Sequence, residues 1–168
     1  MIKLHKAILI ILTVAMMVVI FCFSAEPAET SDRTSGFLVD GIVHIVCPDY
    51  DNLSPDAQSA VYNTLQLIVR KTAHFTEFAV LGLLLRLTLE AFRPRKILSL
   101  WAWLSGTLYA ATDELHQLLV SARSGQIRDV VLDSFGVLAG VMVARIILLL
   151  VERHRLKKLA SSVPSASK

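Results

Sequence analysis

The sequence predicts an all-α integral membrane protein, a four-helix bundle with an extracytoplasmic interfacial segment between its first two helices. Three observations lead there. Of 168 residues, 54% are apolar and only 18% charged, with a mean hydropathy of +0.59, a balance foreign to soluble globular chains. Four runs are long enough for the about 20 mainly apolar residues that cross a bilayer. The lysines and arginines also favour one set of connections. The isoelectric point near 9.0 does not indicate nucleic acid, because the basic residues are scattered between apolar runs rather than gathered on one face.

The first span, 7–23, carries no charge. Lys3 and Lys6 before it and Ala25 after it imitate a secretory signal, but Phe23 stands where a cleavage site wants a small residue, so an uncleaved anchor is expected. Ile20-Phe21 before Cys22 does not suit lipid attachment. A long connection follows, in which 37–46 is broken by Asp40 and Gly41 and is expected to lie at the interface. Ser54-Pro55 reads as a helix N-cap with proline at the first helical position, so the second helix, spanning at 65–92, is expected to start at Pro55 and project from the membrane. The remaining spans are 97–120 and 130–151. Residues 1–158 form one domain, and 159–168, with its serines and Pro164, are expected to be a disordered cytoplasmic tail.

Orientation follows from charge. Lys3 and Lys6, the turn with Arg93, Arg95 and Lys96, and the tail with Arg153, Arg155, Lys157 and Lys158 are assigned to the cytoplasm. The long connection sets Arg33 against Glu26, Glu29, Asp32, Asp40, Asp49, Asp51 and Asp56 and is assigned outside. Both termini are therefore expected in the cytoplasm. Arg70, Lys71, Arg123 and Arg128 remain on the outer side as exceptions.

Those exceptions keep company with acids at one depth. Glu77 precedes Arg93 by 16 residues, roughly 24 Å of helix. Asp113 follows Lys96 by 17 residues, and Asp133 precedes Arg153 by 20, so all three fall in the outer half of a hydrocarbon layer about 30 Å thick. A charge at the bilayer centre costs about 2.5–3.5 kcal/mol on insertion scales, so such groups face the bundle, where they pair or serve a function. Helical spacing places Arg70, His74 and Glu77 on one face with Lys71 nearby; Asp113, His116 and Gln117 share another with Glu114 beside them. Asp129, Asp133, Gly136 and Gly140 run down one stripe, and the last two form a GxxxG that admits a close neighbour.

Three ordered motifs, Arg70-Lys71-x-x-His74-Phe75-x-Glu77 with Leu81-Gly82, Asp113-Glu114-x-His116-Gln117, and Arg123 followed by Asp129, Asp133, Gly136 and Gly140, resemble those of the VanZ-like membrane proteins. The opening 24–35 is similar to the family's usual start, and the resemblance covers about residues 7–150. Phe78 stands where the family often has tyrosine, and Asp133 where it often has asparagine. The family takes its name from an accessory protein of glycopeptide resistance that lowers susceptibility to teicoplanin, and the resemblance implies a plasma-membrane protein with such a role.

Three readings of the polar cluster stay open. In the first, a binding protein or permease handles an amphipathic envelope molecule, such as an anionic lipid, a lipid-linked cell-wall precursor or a lipoglycopeptide. Arg70, Lys71, Gln117, Arg123, Arg128, Asp129 and Asp133 would then form the binding set, with guanidinium forks holding phosphate or carboxylate. In the second, His74, Glu77, Asp113, Glu114 and His116 perform acid-base catalysis on an envelope lipid, although no motif specifies a nucleophile and the cofactor stays undefined. In the third, the groups only pair with one another to fix helix packing. A metal held by His74, Glu77, Asp113 and His116 is a variant of the second reading, disfavoured by the adjacent Arg70, Lys71 and Arg123.

Other residues read as ordinary. Trp101 and Trp103 suit an interfacial aromatic belt, and Arg86 and Glu90 are spaced to pair, although snorkelling would also serve the arginine. Cys22 and Cys47 are expected to stay unbridged.

Overall fold

A computed structural model describes residues 2–26, 28–92, 97–120 and 126–162. The described residues form five α-helices, α1 (Ile2–Ser24), α2 (Ala28–Val46), α3 (Pro55–Phe92), α4 (Leu98–Gln117) and α5 (Ile127–Ser162), with one 3₁₀ turn at Tyr50–Asn52 and short turns between them. Among them, Leu4–Ser24 and Ile127–Leu159 are long and apolar enough to cross a membrane. The ionisable residues of α3 and α4 dilute their apolar character.

The interfacial segment expected at 37–46 is the second half of a longer helix, α2. Val39 and Val43 bury one face of it against Leu65 of α3. Tyr62 donates its hydroxyl hydrogen bond to Asp40 Oδ1 at 3.0 Å. The expected start of the second long helix at Pro55 is observed, with the Ala57 N–H donating to Ser54 Oγ at 3.4 Å. Its 38 residues extend about 57 Å at the standard rise, so the first turns stand clear of the main bundle, and Gln58 Nε2 donates to the Tyr50 carbonyl at 3.0 Å, tying the 3₁₀ turn down. At the other end of the chain α5 runs on to Ser162, so the first residues of the expected tail are helical; the rest lie outside the described residues.

α1, α3, α4 and α5 share a core of Ile20, Phe78, Leu81, Ala102, Ala110, Val137 and Val141. The α3–α5 seam is the tightest. A Cβ on Gly82 would strike the Val137 carbonyl, one on Gly140 the Ala79 carbonyl, and one on Gly136 would come within 2.5 Å of the Phe75 carbonyl. The GxxxG of α5 and Gly82 of α3 thus allow backbone to meet backbone. On α4, Ala102, Gly106 and Ala110 fall four residues apart on one face, and Gly106 receives the Val137 side chain.

The outside of α1 and α5 is apolar, with Ile11, Val18, Phe135, Met142 and Leu150 exposed, whereas Ser24, Arg86, Asp113, Glu114, Gln117 and Asp133 are buried. Buried ionisable side chains beneath an apolar exterior are uncommon in a water-soluble bundle. Trp103 departs from the expected belt role: its Nε1 donates to Ser134 Oγ at 3.1 Å and to the Ser134 carbonyl at 3.2 Å, and Thr107 shares a 2.8 Å hydrogen bond with Ser134. Arg86 is buried rather than snorkelling, with Nη1 donating to Glu90 Oε2 at 2.7 Å and Nε to Ser99 Oγ at 3.1 Å. Cys22 and Cys47 are free thiols.

Candidate functional site

The polar residues at the junction of α1, α3, α4 and α5 sort into three places. The first is a closed hydrogen-bonded cluster. Ser24, the last residue of α1, donates to Asp113 Oδ2 at 2.7 Å, and Gln117, one turn beyond Asp113 on α4, donates from Nε2 to the same oxygen at 3.1 Å and to Ser24 Oγ at 3.3 Å. All three are buried, so the cluster locks the end of α1 to α4. Ser24 has no marker in the sequence that assigns it to a site, because its partner lies 89 residues away.

The second place is a cavity of about 50 Å³ between α3, α4 and α5, lined by Arg70, Lys71, His74, Glu114, Gln117, Asp129 and Asp133 with Leu67 and Leu132. Lys71 Nζ pairs with Asp129 Oδ1 at its rim, where the two side chains are 40% and 27% exposed. Deeper in the wall, Glu114 Oε2 accepts the backbone N–H of Gln126 at 2.9 Å. At the floor Asp133 is 1% exposed, and neither of its carboxyl oxygens has a hydrogen-bond partner among the described residues. The carboxyls of Glu114, Asp113, Asp129 and Glu77 all act on it electrostatically, so the protein surrounds this acceptor with more negative charge. A buried carboxyl left without donors is costly.

An apolar groove of about 300 Å³ opens from the same cavity. Leu67, Lys71 and Leu132 form part of both, and Ile68, Thr72 and Phe75 continue the groove along α3. The Lys71–Asp129 ion pair therefore sits where a polar cavity meets an apolar trough.

The third place lies across α3. Glu77 lines a groove of about 610 Å³ with Met16 of α1, Leu38 and Ile42 of α2, and Val69 and Val80 of α3, away from Arg70 and Lys71. His116 also stands apart, stacked on Phe21 with ring centroids 4.5 Å apart and its Nε2 buried without a hydrogen-bond partner among the described residues. Helical spacing placed Arg70, His74 and Glu77 on one face, but a helix face is broad, and its two flanks here look onto different neighbours. Of the residues singled out for acid-base chemistry, His74 and Glu114 share the cavity, Asp113 belongs to the hydrogen-bonded cluster, and Glu77 and His116 lie outside both.

Of the proposed binding residues, Arg70, Lys71, Gln117, Asp129 and Asp133 line the cavity. Arg128 is exposed and is not part of that wall, while Arg123 lies outside the described residues. The four-ligand metal arrangement of His74, Glu77, Asp113 and His116 does not form: among the described residues no three histidine, cysteine, aspartate or glutamate side chains gather as a metal requires. The backbone N–H of Gln126, which supports Glu114, is a contributor that side-chain motifs do not register.

Comparison with known families matches residues 9–149 to the family model described as VanZ/LLP1. No curated protein and no solved structure matches the chain.

Proposed function

Because this chain belongs to the VanZ/LLP1 family, we propose that it is a multi-pass plasma-membrane protein that binds an amphipathic, anionic envelope molecule, with its head group in the polar cavity and its chain in the adjoining groove. Membrane lipids, lipid-linked cell-wall precursors and lipoglycopeptides share that chemistry, and handling one of them would serve glycopeptide resistance of the kind associated with the family. One observation carries the reading: the cavity bearing Arg70 and Lys71 shares its wall with an apolar groove. A cation at such a junction offers charge to a phosphate or carboxylate while apolar surface is covered by the attached chain.

The experiment is native mass spectrometry of the protein extracted from its membrane. Arg70→Ala with Lys71→Ala is expected to lower co-purifying phosphate-bearing lipid at least tenfold. In Lys71→Ala alone the melting temperature should move little, because the half-exposed Lys71–Asp129 pair contributes only about 0–1 kcal/mol. Unchanged lipid content in the double variant would overturn the proposal.

The topology proposed with it places both termini in the cytoplasm and α2 on the outer surface. Ser35 is buried and makes a poor reporter, so the exposed Asn52 and Ser161 are the better positions. In a chain whose Cys22 and Cys47 are replaced by alanine, Asn52→Cys should react with an impermeant maleimide on intact cells and Ser161→Cys only after lysis. Labelling of position 161 without lysis would defeat this arrangement.

A structural role is favoured for one part of the polar residues. Ser24, Asp113 and Gln117 bond one another, and this triad fixes α1 against α4.

A further inference from the structure

The cavity has two chemically distinct ends. Lys71 and Asp129 form its partly exposed rim, whereas Asp133 at the floor is 1% exposed and offers two carboxyl oxygens with no donor among the described residues. Arg70, Lys71 and His74 from α3, Glu114 and Gln117 from α4 and Asp129 from its own helix line the cavity with Asp133, and the carboxyls of Glu77 and Asp113 act on it electrostatically from outside that wall. Lys71 is engaged by Asp129, and Asp113 Oδ2 is already taken by Ser24 and Gln117. The Asp133 oxygens are therefore open to hydrogen-bond donors brought by a ligand, while Arg70 and the paired Lys71 place positive charge elsewhere in the same wall.

We infer that the head group bound here carries a primary ammonium as well as a phosphate, the ammonium seated against Asp133 and the phosphate at the Lys71 rim. This rests on the amphiphile-binding reading above and specifies its head group as a phosphate anion joined to a primary ammonium, as in an amino-phospholipid. A primary ammonium brings three N–H donors and a compact charge, and charge-assisted bonds to a carboxylate are the strong ones. The size agrees. A cavity of about 50 Å³ has room for roughly four water-sized groups at about 10–15 Å³ each, enough for an ammonium and its first carbons but not for a bulky polyol. The apolar groove past Leu67, Phe75 and Leu132 then takes the start of an acyl chain. A phosphate-only ligand would leave the Asp133 oxygens without donors.

The test uses the purified full-length protein in a non-ionic detergent, titrated with dioleoyl phosphatidylethanolamine, its mono-, di- and trimethylated forms, and dioleoyl phosphatidylglycerol, with bound lipid counted by native mass spectrometry. Methylation keeps the charge and removes the N–H donors one at a time. Phosphatidylethanolamine is expected to bind at least tenfold tighter than the trimethylated lipid, with affinity falling at each methylation. Asp133→Asn, of the same shape without the charge, should bring the ratio close to one. The methylation series on the wild type decides the matter even where that variant fails to fold. Phosphatidylglycerol binding as tightly as phosphatidylethanolamine, or a flat methylation series, would overturn the inference while leaving amphiphile binding intact. Failure of every phospholipid to bind would overturn both.

Discussion

Replacing Gly140 by valine is expected to abolish accumulation of the folded protein. A Cβ at this position would stand on the Ala79 carbonyl and 2.8 Å from the Leu83 nitrogen. Both atoms belong to the backbone of α3, so no rotamer change relieves the clash, and α3 and α5 must move apart along their tightest seam. Overpacking usually costs about 1–3 kcal/mol; with backbone as the obstacle the expected loss exceeds about 3 kcal/mol. Fluorescence-detected size exclusion and thermal unfolding of the solubilised protein check it. The control is Gly41→Ala on α2, where a Cβ meets nothing within 4 Å: a helical Gly→Ala change there should leave stability unchanged or raise it by about 0.5–1 kcal/mol. Wild-type abundance and melting temperature for Gly140→Val would mean that the helices do not pack along this seam.

Arg86→Ala is expected to have the next largest effect, about 3 kcal/mol of destabilisation. The Arg86 side chain is 7% exposed and its partner Glu90 26%, and the guanidinium also holds Ser99 of α4. Deleting the arginine strands the Glu90 carboxylate in a poorly solvated place. The informative comparison is Arg86→Leu combined with Glu90→Leu. Replacing a buried ion pair by apolar groups is often neutral or stabilising, so the double variant should recover most of the melting temperature lost in Arg86→Ala. A single variant as stable as the wild type would show that the pair is solvated. A double variant no better than the single would place the stabilisation in Ser99 and the packing of the arginine stem.

The polar-site variants are expected to behave differently from both. Lys71 lines a small open cavity with Arg70, and removal of Lys71 should change what the protein carries more than how firmly it folds. That contrast separates a binding cavity from the helix-fixing pairs elsewhere in the bundle.

Local features of the sequence suffice for the all-helical class, the start of α3 at Pro55, the spacing that lets Arg86 pair with Glu90 and the small-residue stripe through Gly136 and Gly140. Each of these is a local property: apolar run length, a proline after a cap residue, or a spacing of four residues on one helix. The sequence also brought the family motifs into view, because their residues are close together in the chain. Tertiary structure alone decided which of those residues meet. Ser24 reaches Asp113, Lys71 reaches Asp129, and Trp103 reaches Ser134 across gaps of 89, 58 and 31 residues, and such partners depend on how helices rotate about their axes when they pack. Helical spacing put His74 and Glu77 on a common face, yet α5 closes over one flank of α3 while α1 and α2 border the other, so the cavity takes His74 and the second groove takes Glu77. The burial of Asp133 has the same origin: the close approach that Gly136 and Gly140 permit draws α5 against α3 and carries a carboxyl from the same stripe to the floor of the cavity.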